Sequence, residues 1–337
     1  MSTRPIIVAT HRIFPETRRM LESAGTLIAP EGDAESLPHA RVLEATKDAQ
    51  AIMAFMPDSV DDAFLAARPQ LRIVAAALKG YDNFDGEACA RRGVWLTIVP
   101  DLLTIPSAEL AIGLMIGLAR HIRAGDAHVR SGTFNGWRPE FYGRGMAGET
   151  VGFIGMGAIG RAMAERLRPF GMTLLYTDPK PLPEATEQAL NVTRLPFEDV
   201  VARADYLVSA APLAPTTHHL LGADSLSRIK PGALLINPSR GSVVDEQAVA
   251  AALHDGRLGG YAADVFEMED WLLPARPRTI APELLNHPNT LFTPHLGSAV
   301  IQARQQIEAC AATNILDCLS GRPPRDAIYG PAVIATK

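Results

Sequence analysis

The stretch Glu149-Thr-Val-Gly-Phe-Ile-Gly-Met-Gly-Ala-Ile-Gly-Arg161 decides how this chain is read. A short apolar run ends there in Gly155-x-Gly157-x-x-Gly160, and a helical pattern begins at once. Gly155 suits the tight turn, Gly157 lets backbone approach a pyrophosphate without a Cβ in the way, and Gly160 allows the helix to pack closely on the strand. The first helical turn then presents free N–H groups to phosphates. A second apolar run, Met172–Tyr176, delivers Asp178 about 20 residues past the glycines, where a dinucleotide site expects an acid for the ribose hydroxyls. A carboxylate there accepts from a ribose diol and repels a 2′-phosphate, so NAD is the expected cofactor.

Working outward, the 337 residues are 47% hydrophobic and 20% charged, enough for two globular domains. A net charge of -5 argues against a general nucleic-acid or anionic-membrane binder. The start, Met1-Ser-Thr-Arg-Pro, has no secretory pattern, so a cytoplasmic location is expected. The apolar helix Leu110–Ala119 reads as too short to span a bilayer. Cys89, Cys310 and Cys318 form no C-x-x-C pair, and the last two, eight residues apart on one helix, are roughly 12 Å apart and cannot bridge. No residues show metal-ligand spacing. His218 and His219 are adjacent and would face different ways on a helix.

The first hundred residues alternate apolar runs (Ile6–Ala9, Thr26–Ile28, Ala51–Phe55, Ile73–Ala76, Val94–Thr97) with helical patterns, which implies a parallel sheet covered on both faces. After Pro100 a hinge leads into a helix over Ala108–Ile122, with Ser107 as its cap. The aromatic segment Phe134–Gly143 is either a surface loop or a subunit contact. Beyond the glycine run come apolar runs at Asp205–Ser209, Ala233–Asn237 and Gly260–Val265, and a helix from Asp245 to about Asp255. A last helix runs from about Ser298 to Leu319. The first domain lacks a closing helix, so the chain is expected to cross back and complete it. The expected fold class is α/β, two doubly wound parallel-sheet domains, with residues 1–100 and 294–337 forming one and 101–293 the other.

Ligands on such sheets collect at the carboxyl ends of strands. Three polar runs fall there: Asn237-Pro238-Ser239-Arg240-Gly241, Asp264-Val-Phe-Glu-Met-Glu269-Asp270-Trp271, and Pro294-His295-Leu-Gly297-Ser298. A guanidinium forks onto an oxyanion, an imidazole exchanges protons near neutral pH, and a carboxylate beside the imidazole orients it. Singly, these read as surface charge, a turn residue and a solvated acidic loop; at one sheet edge they favour a site. Earlier in the chain, Met53–Asp58 and Ala77-Leu-Lys79-Gly80 end the third and fourth runs. On spacing alone Lys79 reads as solvated.

In the glycine run, the Asn-Pro-x-Arg-Gly run, the Asp-Val-Phe-x-x-Glu run and the Pro-His motif, the chain resembles the D-2-hydroxyacid dehydrogenase superfamily over nearly its whole length. The resemblance implies a split substrate domain, a central NAD domain and a homodimer. It implies Arg240 as the substrate-polarising cation, His295 as the proton-transfer residue paired to Glu269, and Asp264 near the nicotinamide amide. It also implies cofactor contacts from Gly155, Gly157, Ala158, Ile159 and Gly160, from Asp178 and Pro179, and from the turn Ala210, Ala211, Pro212. Lys79, Pro238, Ser239, Asp264 and His295 complete them.

Within the superfamily the chain is most similar to the phosphite (phosphonate) dehydrogenases, in Met53–Asp58, Leu78–Asn83, Gly93–Thr97, Pro100–Thr104, Tyr261–Trp271 and His295–Val300. This implies that phosphite is oxidised to phosphate, with Lys79, Gly80 and Arg240 holding the substrate. Met56, Leu103, Ser298 and Arg304 would lie beside it. Ser239 and Ser107 depart from the usual cysteine and threonine. Phosphite is largely a dianion at neutral pH, and Lys79, Arg240 and Arg304 suit two negative charges. The alternatives are an ordinary D-2-hydroxyacid dehydrogenase or hydroxypyruvate/glyoxylate reductase, and a dinucleotide-sensing corepressor. The tail Pro324–Lys337 carries no reading.

Overall fold

Five early apolar runs become parallel strands: β1 (Ile6–Ala9), β2 (Thr26–Ile28), β3 (Ala51–Ala54), β4 (Ile73–Ala76) and β5 (Trp95–Thr97). The computed structural model, which describes residues 4–331, orders them β2-β1-β3-β4-β5. Every residue of β3 and β4 is buried, as parallel strands covered on both faces must be. Their side chains alternate: Met53, Ile73 and Ala75 face the helix Ile301–Leu319 through Ile307, Ala311 and Ile315. Ile52, Ala54, Val74 and Ala76 face Leu65, Ala88 and Cys89 on the other side. The returning helix thus closes this layer.

The tail that carried no reading supplies a sixth, antiparallel strand, Ala327–Tyr329, on β5. Its Tyr329 ring lies where a Cβ on Gly86 would come within 2.3 Å. A side chain larger than glycine at residue 86 would have to displace that ring.

The second sheet has seven parallel strands: β6 (Thr150–Ile154), β7 (Thr173–Thr177), β8 (Val192–Arg194), β9 (Tyr206–Ser209), β10 (Ala233–Asn237), β11 (Leu258–Ala263) and β12 (Thr290–Phe292). Their order is β8-β7-β6-β9-β10-β11-β12. The order reverses between β6 and β9, and crevices for ligands open at such switch points. In the first sheet the reversal lies between β1 and β3.

The chain divides into two compact units, one holding the residues up to Leu103 and those from Val300, the other Thr104–Ala299. Two boundaries therefore move. Residues 101–103 belong to the first unit, where Leu102 and Leu103 pack with the helix Ile301–Leu319. Residues 294–299 belong to the second, because Asp264 holds them by three backbone N–H groups, of His295, Leu296 and Gly297. Residues 1–3 and 332–337, assigned with the first domain, lie outside the described residues.

Three local expectations also change. The helix expected from Ala108 starts at Thr104, so Ser107 lies inside it, buried at 7% exposure, and is not its cap. That helix ends at Ala119; His121 adopts the left-handed conformation (φ 51°), and a second helix, Ile122–Arg130, follows. Taken from Asp101, the segment to Ala119 is long and apolar enough to cross a membrane by length and composition, longer than the sequence suggested. Its Ala111, Leu114, Met115 and Leu118 fill the core of the second unit against Val151 and Phe153. Finally, His218 and His219 sit in a turn, not a helix, and their rings stack at 4.0 Å.

Candidate active site

At the switch point of the second sheet, β6 runs straight into the glycine turn. Gly155 has φ 98°, and a Cβ on it would come within 2.7 Å of the Ala210 carbonyl. Only glycine meets both demands. A Cβ on Gly160 would come within 2.8 Å of the Gly155 carbonyl, so the helix Ala158–Leu167 seats directly on the turn. Gly157, at the N-cap of that helix, faces open space: nothing lies within 4 Å of its Cβ position. The arrangement leaves a cradle beside the first turn of a helix, which fits a pyrophosphate. Ala158 and Ile159 begin that helix, while Ala210, Ala211 and Pro212 follow the neighbouring β9.

Asp178 stands just past β7. Its Oδ2 accepts from the Met156 N–H at 2.9 Å and its Oδ1 from the Lys180 N–H at 2.9 Å, which ties the acid to the glycine turn. Arg194 donates to the backbone carbonyls of Asp178 (2.8 Å) and Pro179 (3.4 Å). The acid and the phosphate cradle are thus neighbours, as a dinucleotide requires.

The structure brings His295 and Glu269 together. His295 Nδ1 lies 2.6 Å from Glu269 Oε2, and the other carboxylate oxygen accepts from the Phe266 N–H at 2.9 Å. His295 has φ 57°, a left-handed turn held by Asp264, whose backbone carbonyl accepts from the His295 N–H at 2.8 Å. Asp264 falls immediately after β11, which ends at Ala263 and not at the expected Val265. Its side chain is 2% exposed and accepts from the Thr293 hydroxyl (2.5 Å), Leu296 N–H (2.7 Å) and Gly297 N–H (2.8 Å). Burial raises its carboxyl above the usual range, against the pull of the Thr293 hydroxyl and those N–H groups. Gly297 packs closely here: its Cβ position lies 3.2 Å from Asp264 Oδ2 and 3.0 Å from the Ser107 hydroxyl, so a side chain there would need these neighbours to give.

Arg240 leaves the end of β10 in a loop that Asn237 organises. The Asn237 amide donates to the Arg240 carbonyl at 3.0 Å and accepts from the Ser239 hydroxyl at 2.9 Å. Ser239 also bonds Ser209, at 2.8 Å, which joins the ends of β9 and β10. Pro238 lies between. Arg240 Nη1 bonds the Ser239 carbonyl at 2.9 Å.

The first unit carries its own cluster. Asp58 Oδ2 accepts from the Thr10 hydroxyl (2.5 Å) and the Phe55 N–H (2.7 Å), pinning the turn that bears Met56 to the end of β1. The Asn83 amide donates to the Met56 carbonyl at 2.8 Å. Past β4, Lys79 pairs with Asp101. Arg304 donates to the Ala77 carbonyl at 3.3 Å and stands 5.6 Å from the Phe55 ring centre, with Glu308 at 4.0 Å. So Met56, Lys79, Gly80 and Arg304 share the carboxyl edge of β3 and β4. Leu103 packs on the core below, and Ser298 belongs to the second unit.

What sequence reasoning missed is the burial of the acids around Glu269. Glu267 and Asp270 are 7% and 4% exposed, where a solvated loop was the plain reading, and Glu246, at the start of the helix Glu246–His254, is 3% exposed. The signal available was their spacing beside Glu269, which alone carried no direction.

Residues 112–297 match the family described as D-isomer specific 2-hydroxyacid dehydrogenase, NAD binding domain. The chain is similar to the glyoxylate reductase of Pyrococcus horikoshii, 37% identical over 326 residues that cover 95% of each chain. It is similar to glyoxylate/hydroxypyruvate reductase B of Yersinia enterocolitica, 33% identical and covering 94% of this chain and 95% of that one. Among solved structures, the TT0316 protein of Thermus thermophilus superposes with a TM-score of 0.84 at 32% identity, over 96% of this chain and 100% of that one. The NADPH-dependent glyoxylate/hydroxypyruvate reductase of Sinorhizobium meliloti, in complex with NADP and malonate, superposes with a TM-score of 0.83 at 29% identity, over 98% of each.

Proposed function

Because the chain belongs to the D-isomer specific 2-hydroxyacid dehydrogenase family and is an NAD-dependent oxidoreductase of it, we propose that its substrate is phosphite, oxidised to phosphate. The carrying observation is the cation content of the first unit's sheet edge. Lys79 and Arg304 both stand around the Ala77–Gly80 turn, and Arg304 is held over it by the Ala77 carbonyl. Asp101 and Glu308 offset part of that charge; Arg240, on the second unit, is the further cation that the resemblance assigns to the substrate, and extra cations suit a dianion. The run-by-run likeness at Met53–Asp58, Leu78–Asn83 and Tyr261–Trp271 points the same way.

NAD would be held by the Gly155–Gly160 turn and Asp178 and would supply the hydride acceptor. The chain's residues do the rest. Glu269 accepts at His295 Nδ1, which fixes the tautomer with the lone pair on Nε2. His295 Nε2 then takes a proton from water as the water oxygen bonds to phosphorus and the P–H bond gives up its hydrogen with both electrons. Phosphite, water and oxidised cofactor become phosphate, reduced cofactor and a proton. Arg240 and Lys79 bind the oxyanions, and charge-assisted bonds of this kind hold both the orientation and the developing charge.

A second reading is reduction of glyoxylate or hydroxypyruvate, which the names of the relatives favour. The same groups serve it in the opposite direction, with His295 giving a proton to the carbonyl oxygen. Purified protein assayed with phosphite and NAD, and separately with each keto acid and NADH, decides. NADH and phosphate formed together support the first reading. Neither formed, with keto acid consuming NADH, establishes the second.

A further inference from the structure

The run Glu267-Met268-Glu269-Asp270 holds three acids in and beside one 3-10 turn, Glu267–Glu269, and they go different ways. Glu269 meets His295. Asp270 Oδ2 accepts from the Ser242 N–H at 2.7 Å. Glu267 Oε1 accepts from the Glu246 N–H at 2.9 Å, while the Glu267 N–H donates to Glu246 Oε1 at 2.8 Å, a reciprocal pair. The remaining Glu267 oxygen lies 2.9 Å from His219 Nε2, and the His219 N–H donates to the Ser242 carbonyl at 2.7 Å. Apart from the contacts with His295 and His219, these bonds end on Ser242 and Glu246, in the segment that follows Arg240, and His219 itself is tied to Ser242. Gly241 shows how close the two segments are: a Cβ there would fall 1.9 Å from the Phe266 carbonyl carbon and 2.1 Å from the Glu267 nitrogen.

A carboxylate is an unusual choice for such a buried joint unless it is fully bonded. Here each oxygen of Glu267 is used, and the pair joins the Arg240 loop to the turn that presents Glu269. The two groups proposed to handle the oxyanion and the proton therefore hang from one rigid clamp. We infer that Glu267 and Glu246, with His219, are positioning residues that hold Arg240 and the Glu269–His295 pair in register for the reaction. The inference rests on the family reaction proposed above and not on which substrate is used.

Two facing buried acids also constrain protonation. Burial first, then the charges of Glu267, Asp270 and Glu269, push Glu246 up to about 7, so near neutral pH it is protonated much of the time. Tyr261 of β11 also faces this pair, and Asp245 stands 3.9 Å from the His219 ring. A neutral amide at residue 246 can keep the acceptor oxygen for the Glu267 N–H without adding charge.

The test compares Glu246→Ala, Glu246→Gln and His219→Ala in the full chain, by steady-state kinetics and by the NMR signal of the His295 Nδ1–H, which its 2.6 Å contact with Glu269 deshields. Glu246→Ala is expected to lower kcat by roughly 10- to 100-fold, as misplacement of catalytic groups by about 1 Å does. KM for NAD should stay within about twofold, and the His295 signal should move. Glu246→Gln is expected to restore both. His219→Ala, which removes a half-exposed partner, should lower kcat by a few-fold and move the same signal. Normal kcat with an unmoved signal in Glu246→Ala overturns the inference, as does a Glu246→Gln enzyme as slow as Glu246→Ala. If Glu246→Ala does not fold, an unchanged His219→Ala enzyme overturns it. If no substrate turns over, the reaction reading fails while the NMR comparison still decides this one.

Discussion

His295 Nδ1 and Glu269 Oε2 stand 2.6 Å apart, and the imidazole is offered from a left-handed residue that Asp264 pins by its backbone carbonyl. Because Nδ1 is engaged, proton transfer falls to Nε2. His295→Asn should lower turnover by about 100- to 10,000-fold, the usual contribution of a positioned acid-base group. Glu269→Gln keeps an acceptor for Nδ1–H but loses its charge, so it should retain more activity than His295→Asn. Turnover of each variant, with folding checked by circular dichroism, measures this. A fully active His295→Asn enzyme ends the assignment.

Cofactor choice should follow Asp178. Its carboxylate is held beside the glycine turn by the Met156 and Lys180 N–H groups, where it accepts from a ribose diol and repels a 2′-phosphate. Asp178→Ala should raise kcat/KM for NADP relative to NAD. Arg194, already bonded to the Asp178 and Pro179 carbonyls, stands ready as a cation once the acid is gone. An unchanged ratio means that another residue reads the ribose.

Glu246 makes stability depend on pH in a stated direction. Its carboxyl is pushed up from 4.5 to about 7 in the folded protein, so the folded state binds this proton more tightly than the unfolded state does. The contribution is fully present below the unfolded value and is lost as pH rises through about 7. At most it amounts to about 3 kcal/mol. Scanning calorimetry should show the wild-type Tm falling between about pH 5 and pH 8, with a flatter profile in Glu246→Gln. Parallel profiles would remove Glu246 as the cause.

The aromatic segment between the helix Ile122–Arg130 and β6 holds Phe134, Trp137, Phe141 and Tyr142, and Trp137 is 77% exposed. Aromatic side chains left in water together are characteristic of contact surfaces. Together with the homodimer that the resemblance implies, this predicts a dimer in sedimentation equilibrium. Trp137→Ala with Tyr142→Ala should weaken it. A stable monomer in the wild-type chain rejects the assignment.

Much of this was legible because its signals are local. Gly155 and Gly160 sit where backbone geometry and close packing demand glycine, and runs such as Ile73–Ala76 are apolar because both faces of a parallel strand are covered. His295 and Glu269, 26 residues apart, could be paired through the resemblance but not by spacing. The buried acids were illegible for a physical reason: a carboxylate reads as solvated until the fold surrounds it, and Glu267 is enclosed by the segment after Arg240 and by His219, both distant in sequence. Ala327–Tyr329 is too short to show a period, and its pairing depends on the open edge of β5 and on the space that Gly86 leaves for Tyr329.

The substrate assignment turns on Lys79, three residues past β4 and paired with Asp101. Removing one partner of a desolvated charge contact costs about 2–5 kcal/mol. The Lys79 side chain is 38% exposed and its charge is shared with Asp101, so the lower end applies. About 2 kcal/mol corresponds to roughly 30-fold in kcat/KM for phosphite. Lys79→Arg should recover part of this and Lys79→Ala none. Arg304→Ala should cost more than its charge alone, because it also strips the contact with Phe55 and the bond to the Ala77 carbonyl. Sulfite, similar in size and charge but without a transferable hydride, should inhibit competitively against phosphite, and weakly in Lys79→Ala. If Lys79→Ala leaves phosphite oxidation unchanged while sulfite still competes, the anion is held without this lysine. If sulfite does not bind and glyoxylate is reduced at full rate, the keto-acid reading replaces the phosphite one.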